Sequence, residues 1–362
     1  MKRIGLFLIC LFMSQYLSPT VYEPTYTIDL EQLAILQPED FTMTEDGIFF
    51  LDRANCKISR LLNKKIISRF GSKGKGPEDY TNPVRLITHK RELWVLGAER
   101  NVIFSLEGKW QKTIQIRNLN EELQKSSSQF LEISNTIGII GRNRFIGQNT
   151  RFSNGVLENT AFYSNSAKQK VLVSQKVALS QLAKKNFQEP TLPIIALGKK
   201  FCYIADDPRS FRIKIFSIQE EKFKPSLEIF DYKKVTYSKE ERTNFKKTMT
   251  REIEKTRKLG GISKDFFSII KNASLPKYKP VIQKICADQL DYLYILTPET
   301  RQYYFLIFVY QPNLKLIKKL RIQSHKPLLF RACNGTVGII EEKDDTYYLK
   351  LFNLEVSRHP DS

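Results

Sequence analysis

Residues 41–70 read FTMTEDGIFFLDRANCKISRLLNKKIISRF and contain three strand-like runs separated by tight turns. Asp46-Gly47 is a hairpin turn, because glycine accepts the positive φ that such a turn requires. The run 48–52 is rich in aromatic and branched residues, and the runs 57–61 and 66–70 alternate apolar and polar side chains. Both patterns are typical of β-strands. The stretch therefore predicts one antiparallel sheet.

The same order of strands and turns recurs along most of the chain in a degraded form. The further copies cover residues 90–116, 131–177, 192–230, 279–322 and 327–356. Repeats of about 40–50 residues made only of short strands indicate the blades of a propeller. Six units predict an all-β, six-bladed β-propeller. Residues 26–30 form a spare strand, and we expect it to close the ring by pairing with the last blade, because closure protects exposed edges.

A glycine-rich loop, FGSKGKGPEDY, follows the first unit at residues 70–80, and Asn82-Pro83 comes next. This segment resembles the inter-blade signature of NHL-repeat propellers and of exported six-bladed propellers of bacteria. The positions that match are Gly71, Gly74, Gly76, Pro77, Tyr80 and Pro83. Glu78 stands where the family usually has glycine, and Asp79 stands where it has glutamate.

The resemblance implies a propeller fold and a structural role for this loop. The chain must cross here from the outer strand of one blade to the inner strand of the next, so glycines supply unusual backbone angles and Pro77 stiffens the bend. We expect a positive φ at Gly76. A phosphate-binding role is the alternative, but no Gly-Lys-Ser/Thr follows and no helix is expected after the loop.

The N-terminus has the layout of a secretory signal peptide. Lys2 and Arg3 precede an apolar run at residues 4–13, and a polar stretch follows. The run is shorter than the ~20 residues that a membrane span needs. We expect residues 1–18 to be a signal peptide and 19–362 to be one propeller domain, exported to the periplasm, the cell surface or the medium. A buried first helix is the alternative.

Four cysteines remain outside the leader: Cys56, Cys202, Cys286 and Cys333. An even number of cysteines in an exported protein suggests disulfides. However, the last three lie in apolar, strand-like runs. Cys286 and Cys333 hold equivalent places in successive repeats, which are too far apart for a bridge. We expect buried free thiols.

The chain has a formal charge of +20, and residues 233–279 supply +9 of it, from fourteen Lys/Arg and five Asp/Glu. The part from Ser238 to Leu259 has helix-forming composition, and Ser238 with Glu241 predicts a capping box. We expect a helical insertion between blades four and five. Its candidate binding residues are Lys246, Lys247, Arg251, Lys255 and Lys258. They would attract an envelope protein or an anionic glycan. The predicted export argues against nucleic acid as a partner. A solvated face without a partner is the alternative.

Signatures of familiar catalytic chemistry are absent from the sequence. There is no Cys-x-x-Cys or Gly-x-Ser-x-Gly, and the three histidines lack metal-ligand spacing. We assign no catalytic residue and no cofactor, and we expect a monomeric, non-catalytic binding or scaffolding propeller without a transmembrane segment. The alternative is a calcium-dependent propeller hydrolase or lyase. Its candidate oxygen ligands near strand ends are Asp52, Asp206, Asp207 and Asp291.

Overall fold

The fold was analysed in a computed structural model of the chain. The structure describes residues 21–80, 83–97, 99–126, 135–141, 144–153, 156–165, 168–178, 193–228, 234–258, 275, 277–299 and 303–356. The predicted signal peptide, residues 1–18, lies outside the described residues.

Twenty-four strands form six four-stranded antiparallel sheets, which confirms the six-bladed all-β propeller. Blade one contains β2 (Pro38–Thr44), β3 (Gly47–Asp52), β4 (Lys57–Leu62) and β5 (Lys65–Phe70). Blade two contains β6 (Pro83–His89), β7 (Glu92–Gly97), β8 (Arg100–Ser105) and β9 (Trp110–Gln115). Blade three contains β10 (Asn135–Gly141), β11 (Arg144–Ser153), β12 (Val156–Ser164) and β13 (Gln169–Ala178).

The second half of the ring follows the same plan. Blade four contains β14 (Ile194–Leu197), β15 (Phe201–Ala205), β16 (Arg212–Ser217) and β17 (Lys222–Glu228). Blade five contains β18 (Lys284–Ala287), β19 (Leu293–Pro298), β20 (Tyr304–Tyr310) and β21 (Leu316–Gln323). Blade six contains β22 (Pro327–Cys333), β23 (Thr336–Lys343), β24 (Thr346–Asn353) and the N-terminal β1 (Tyr26–Asp29).

The ring closes through β1, as the sequence predicts. This strand pairs antiparallel with β24, from Tyr26 opposite Leu351 to Asp29 opposite Tyr348. Blade six therefore takes three strands from the C-terminus and its outer strand from the N-terminus. The closure gives the outer edge of β24 a hydrogen-bonded partner, which an open ring would lack.

The core lies between the blades, because each sheet buries both faces against its neighbours. Phe41, Phe50 and Leu349 belong to the cluster that joins blades six and one. A cluster containing Tyr294 and Phe330 joins blades five and six in the same way. Aromatic side chains fill much of these interfaces, which accounts for the abundance of Phe and Tyr.

The first strand of each blade lies innermost. These inner strands, in ring order, are β2, β6, β10, β14, β18 and β22, and they surround the central channel of the propeller. The chain enters each inner strand at the same end of the ring, which we call the entry end. The glycine-rich loop and the connection between β17 and β18 lie at this end.

Two helices are present in the described part of the chain. The first, α1 (Ile116–Ser126), follows β9 and was not predicted. The second, α2 (Lys239–Lys258), follows β17 and precedes β18. Its capping box forms as predicted: Ser238 N donates to Glu241 Oε2 at 2.7 Å, and Glu241 N donates to Ser238 Oγ at 3.1 Å. Residues 229–233 and 259–274 lie outside the described residues, so the full helical insertion over 233–279 stays a prediction.

Among the described residues, no helix is long and apolar enough to cross a membrane.

Candidate functional site

Four charged side chains from the inner strands meet in the channel. Asp40 comes from β2, Arg85 from β6, Lys284 from β18 and Arg331 from β22. We call these residues the channel cluster. Asp40 and Arg85 are the third residues of their strands, Lys284 is the first, and Arg331 is the fifth.

A proline followed by a register shift orients two of these side chains. Pro38 begins β2 and Pro83 begins β6, and in both strands a register shift follows before the next paired residue, which is Asp40 or Arg85. Proline is tolerated at the start of a strand, and a bulge re-aims the side chain that follows it. Pro327 begins β22 with the same register shift. Pro83, which the sequence analysis assigned to the inter-blade loop, therefore begins an inner strand just before the register shift that orients Arg85.

Asp40 holds the cluster together. Its carboxylate is 2% exposed and accepts hydrogen bonds from Leu86 N at 2.8 Å and from Arg331 Nη2 at 2.5 Å. Arg331 also donates from Nε to Phe41 O at 3.1 Å and from Nη1 to Phe330 O at 3.0 Å. One carboxylate therefore links blades six, one and two near the point where the ring closes.

The cations of the cluster influence one another. Burial lowers the pKa of Arg85 and of Lys284, the positive charge of Arg331 lowers both further, and Asp40 opposes these effects. Arginine keeps its proton at any physiological pH despite such a shift. The cluster contains three cations and one carboxylate, and the three cationic residues are partly exposed. This arrangement favours a negatively charged group in the channel.

Sequence reasoning missed the channel cluster, because its members are far apart in the chain and belong to no motif. The available signal was a charged residue two places after the proline that opens a repeat, as in Pro38-Glu39-Asp40 and Pro83-Val84-Arg85. Nothing comparable precedes Lys284. Only the ring brings these strands together.

The glycine-rich loop is built around Asp79. Ser72 Oγ donates to Asp79 Oδ1, Gly76 N donates to Oδ2 at 2.9 Å, and these bonds lower the pKa of Asp79. A Cβ would lie 2.2 Å from Oδ2 at Gly74 and 2.8 Å from it at Gly76. Glycine is needed at both positions because the carboxylate rests against the loop backbone.

The positive φ expected at Gly76 is found at Gly71 instead, where φ is 75°. The expectation was wrong because close approach, rather than backbone twist, requires Gly76. Tyr80 closes the loop: it is 2% exposed, packs in the core between blades one and two, and would contact a Cβ at Gly71 at 2.7 Å. Pro77 O accepts a hydrogen bond from Thr113 Oγ1.

Arg100, on β8, fixes this loop to blade two. Its Nη2 donates to Gly74 O at 2.6 Å and its Nη1 donates to Gly76 O at 2.9 Å. This contact was not foreseen. Asp79 and the carbonyl groups of Gly74 and Gly76 therefore bond within the loop or to Arg100, and not to the channel cluster.

The structure does not gather the aspartates considered for calcium. Asp52 accepts hydrogen bonds from Leu36 N, Gln37 N, Ala54 N and Asn55 Nδ2. It therefore organises two turns. Across the described residues, no group of three or more His, Cys, Asp or Glu is placed to hold a metal ion.

The other three candidates also bond to groups of the protein. Asp206 pairs with Lys214 at 2.7 Å, and Asp207 pairs with Arg209 at 2.8 Å. Asp291 is buried and accepts from Lys200 N at 2.8 Å, which ties blade five to blade four.

The basic segment contributes exposed lysines rather than a channel site. Lys246 and Lys247 are exposed on α2. The side chains of Arg251, Lys255 and Lys258 lie outside the described residues. The base of the segment is anchored: Val235 is 4% exposed, and Lys279 N donates to Val235 O at 2.7 Å.

The four cysteines of the described chain are free. Cys202, Cys286 and Cys333 are buried and Cys56 is partly exposed. Burial raises the pKa of the Cys202 thiol to about 12 and that of Cys333, mainly by the same cause, to about 11. Burial also raises the pKa of Cys286, and Arg331 opposes that shift.

Comparison with known proteins finds only distant structural similarity. No protein-family model matches the chain, and no curated protein matches it. Regucalcin, a calcium-binding protein from Agrobacterium tumefaciens, is 8% identical with a TM-score of 0.39, and the match covers 92% of this chain and 96% of that one. The U3-55K protein is 11% identical with a TM-score of 0.42, and the match covers 91% and 99% of the two chains.

A chain of the mitotic checkpoint complex is also similar, at 6% identity and a TM-score of 0.41, with 92% of each chain covered. The class that the sheets define is the six-bladed propeller. These similarities carry no conclusion about what the protein binds.

Proposed function

We propose that this protein is a non-catalytic binding propeller of the bacterial envelope that holds an anionic ligand in its central channel. The observation that carries the proposal is the charge balance of the channel cluster. Arg85, Lys284 and Arg331 converge from three blades, and Asp40 offsets one of their charges. Positive side chains in a narrow, partly dry site bind anions more strongly than the same side chains in water.

The chemistry of the cluster favours binding over catalysis. Both oxygens of Asp40 are occupied, one by Arg331 and the other by Leu86 N. A general base must be within reach of the proton that it removes, and Asp40 faces its own partners instead. The remaining three side chains are cations, and their positive charge attracts an anion.

The proposal also includes export from the cytoplasm and a second basic surface on the helical insertion. The signal-like start at residues 1–18 and the resemblance of the glycine-rich loop to exported propellers support export. We propose that the exported protein is a monomer. The helical insertion at 233–279, with Lys246 and Lys247 exposed, would present a second basic surface to an envelope protein or an anionic glycan.

The test uses sulfate as the probe, compared with sodium chloride at equal ionic strength. We expect sulfate to raise the melting temperature, because a ligand that binds only the folded state stabilises it. Isothermal titration then measures the affinity of the wild type and of Lys284→Met, which removes one channel charge and keeps an unbranched side chain. A charge-assisted hydrogen bond contributes about 1.5–3 kcal/mol, so the variant should bind sulfate about tenfold or more weakly.

Lys315→Met is the matched control, because it removes the same charge from an exposed turn between β20 and β21. This variant should bind sulfate like the wild type. Equal weakening by both substitutions would show that sulfate senses only net charge, and absence of stabilisation in the wild type would contradict the proposal outright.

A further inference from the structure

A short antiparallel ribbon lies at the base of the helical insertion. Thr236 pairs antiparallel with Tyr278, and Lys279 N donates a hydrogen bond to Val235 O at 2.7 Å. We call these two segments the basal ribbon: residues 234–237 and 277–279. Side chains alternate between the two faces of such a ribbon, and directly opposite residues share a face. Val235 is buried, whereas Thr236 and Tyr278 are exposed, so one face packs inward and the other meets solvent.

An exposed tyrosine flanked by two cations lies on the open face. The Tyr278 ring is 38% exposed, and its centroid is 5.2 Å from Lys277 Nζ and 5.7 Å from Lys234 Nζ. Both lysines are exposed, and neither is paired with a carboxylate among the residues that the structure describes. Cation–π contacts are weak at exposed sites, so an anion can draw these ammonium groups to itself. The tyrosine then offers its ring as a flat apolar surface.

The first turn of α2 is fixed beside the basal ribbon. Arg242 donates from Nη1 to Leu275 O at 3.0 Å and from Nη2 to Lys277 O at 3.2 Å. Glu241 accepts a hydrogen bond from Lys279 Nζ at 2.5 Å. The beginning of the helix and the ribbon therefore form one unit.

Exposed lysines of α2 extend the positive surface of this unit. Lys239, Lys246 and Lys247 are exposed. Lys239 and Lys246 are seven residues apart, which is close to two helical turns, so they lie on the same side of the helix about 10 Å apart. Positive charges spaced along one element complement a polymer with repeated negative charges better than they complement a single small anion.

We infer that the basal ribbon binds an acidic polysaccharide, with one sugar ring stacked on Tyr278 and the carboxylate of that sugar at Lys234 and Lys277. This inference rests on the second basic surface of the proposed function, and it names the residues and the partner of that surface. The C–H face of a sugar is apolar and packs on the negative face of an aromatic ring, while the carboxylate and hydroxyl groups stay at the rim. A small inorganic anion would use the lysines and leave the ring uncovered.

The experiment measures the affinity of the protein for three polymers by isothermal titration at one ionic strength. Polygalacturonate carries a carboxylate on each sugar ring, polyacrylate carries carboxylates without sugar rings, and dextran carries sugar rings without charge. We expect polygalacturonate to bind, and dextran to bind at least about tenfold more weakly because it lacks charge-assisted hydrogen bonds to the lysines. Added salt should weaken the binding of polygalacturonate.

Substitutions separate the ring from the charges. Tyr278→Ala removes the ring and keeps both lysines, so it should weaken polygalacturonate binding about two- to tenfold and leave polyacrylate binding unchanged. Tyr26→Ala is the matched control, because Tyr26 is 45% exposed and its ring centroid is 4.0 Å from Lys64 Nζ. This control should bind both polymers like the wild type. Lys277→Met should weaken the binding of both polyanions, whereas Lys315→Met, outside the ribbon, should weaken neither.

Three results would overturn the inference. The first is an affinity of Tyr278→Ala for polygalacturonate equal to that of the wild type. The second is an equal loss in Lys277→Met and Lys315→Met, which would show that the polymer senses only net charge. The third is tighter binding of a single-stranded thymidine oligomer than of polygalacturonate, which would assign the surface to nucleic acid. Should Tyr278→Ala not fold, the comparison of the two lysine variants decides.

The outcomes also separate this inference from the channel site. Stabilisation by sulfate depends on Lys284, which is not part of the basal ribbon. If sulfate stabilises the wild type and Tyr278→Ala binds polygalacturonate normally, the inference is overturned and the channel proposal stands. If sulfate has no effect and polygalacturonate binding depends on Tyr278, the channel proposal fails and the inference stands.

Discussion

Replacement of Asp40 by asparagine tests the channel cluster most directly, because it separates the effect of this residue on folding from its effect on binding. The carboxylate is 2% exposed and has two donors, Leu86 N and Arg331 Nη2, on two different oxygens. Asparagine has a single acceptor oxygen, so one of the two donors would face an amide NH2 group. A buried donor without a partner costs about 1–3 kcal/mol.

The ion pair adds to this loss. Removing one partner of a buried pair costs about 3–5 kcal/mol, but the Arg331 side chain is 28% exposed and keeps its bonds to Phe41 O and Phe330 O. Solvent therefore recovers part of the loss. We expect Asp40→Asn to lower the free energy of unfolding by about 2–4 kcal/mol.

Urea unfolding measures this change, and Asp344→Asn is the control. Asp344 is exposed in the turn between β23 and β24 with a φ of 51°, a conformation that asparagine accepts. The control should stay within about 0.5 kcal/mol of the wild type.

Binding should change in the opposite direction from stability. Without the Asp40 charge, the cluster holds three positive charges instead of two, so sulfate should bind Asp40→Asn more tightly and restore part of its stability. A general loss of folding would weaken binding instead. The reasoning is refuted if Asp40→Asn unfolds like Asp344→Asn, or if sulfate binds it more weakly than the wild type.

Three further predictions concern packing. Gly76→Val should lower the free energy of unfolding in urea by about 1–3 kcal/mol, because its Cβ would meet Asp79 Oδ2 at 2.8 Å. The control Glu78→Ala, at an exposed position, should lower it by less than about 0.5 kcal/mol. Equal losses in the two variants would contradict the packing of the loop. The Tyr80 hydroxyl is buried with no hydrogen-bond partner among the described residues, so Tyr80→Phe should leave the free energy of unfolding unchanged or raise it by about 1 kcal/mol, and a clear loss would reveal a partner. Since burial raises the pKa of Cys202 to about 12 and that of Cys333 to about 11, both thiols stay protonated at pH 8 and should resist iodoacetamide in the folded protein; mass spectrometry showing either one labelled as fast as Cys56 would count against their burial.

The local sequence pattern was sufficient to predict most of the strands and turns of this fold. The turn at Asp46-Gly47 and the alternation that follows it are local properties, and they correspond to β3, β4 and β5 within one or two residues. The capping box at Ser238 was also predictable, because its two hydrogen bonds join residues three apart. The closing strand β1 followed from the general need of a ring to protect its edge.

Two local features were not predicted correctly from the sequence. Helix α1 was missed although Ile116, Leu119 and Leu123 are spaced as on one face of a helix, because the segment is short and mainly polar. The role of Gly76 was misjudged because the sequence shows that a glycine is present and does not show what approaches it. Here the approaching group is the Asp79 carboxylate, which belongs to the same loop.

The sequence by itself determined the six-unit β architecture, the closure and the inter-blade loop, since these depend on periods and turns within a few tens of residues. Only the tertiary structure decided the channel cluster. Asp40 and Arg331 are separated by 291 residues along the chain, and they meet because the last blade lies beside the first. A site whose members come one from each strand leaves no local signal, because each charged residue alone is indistinguishable from a solvated one until the ring brings it to the axis.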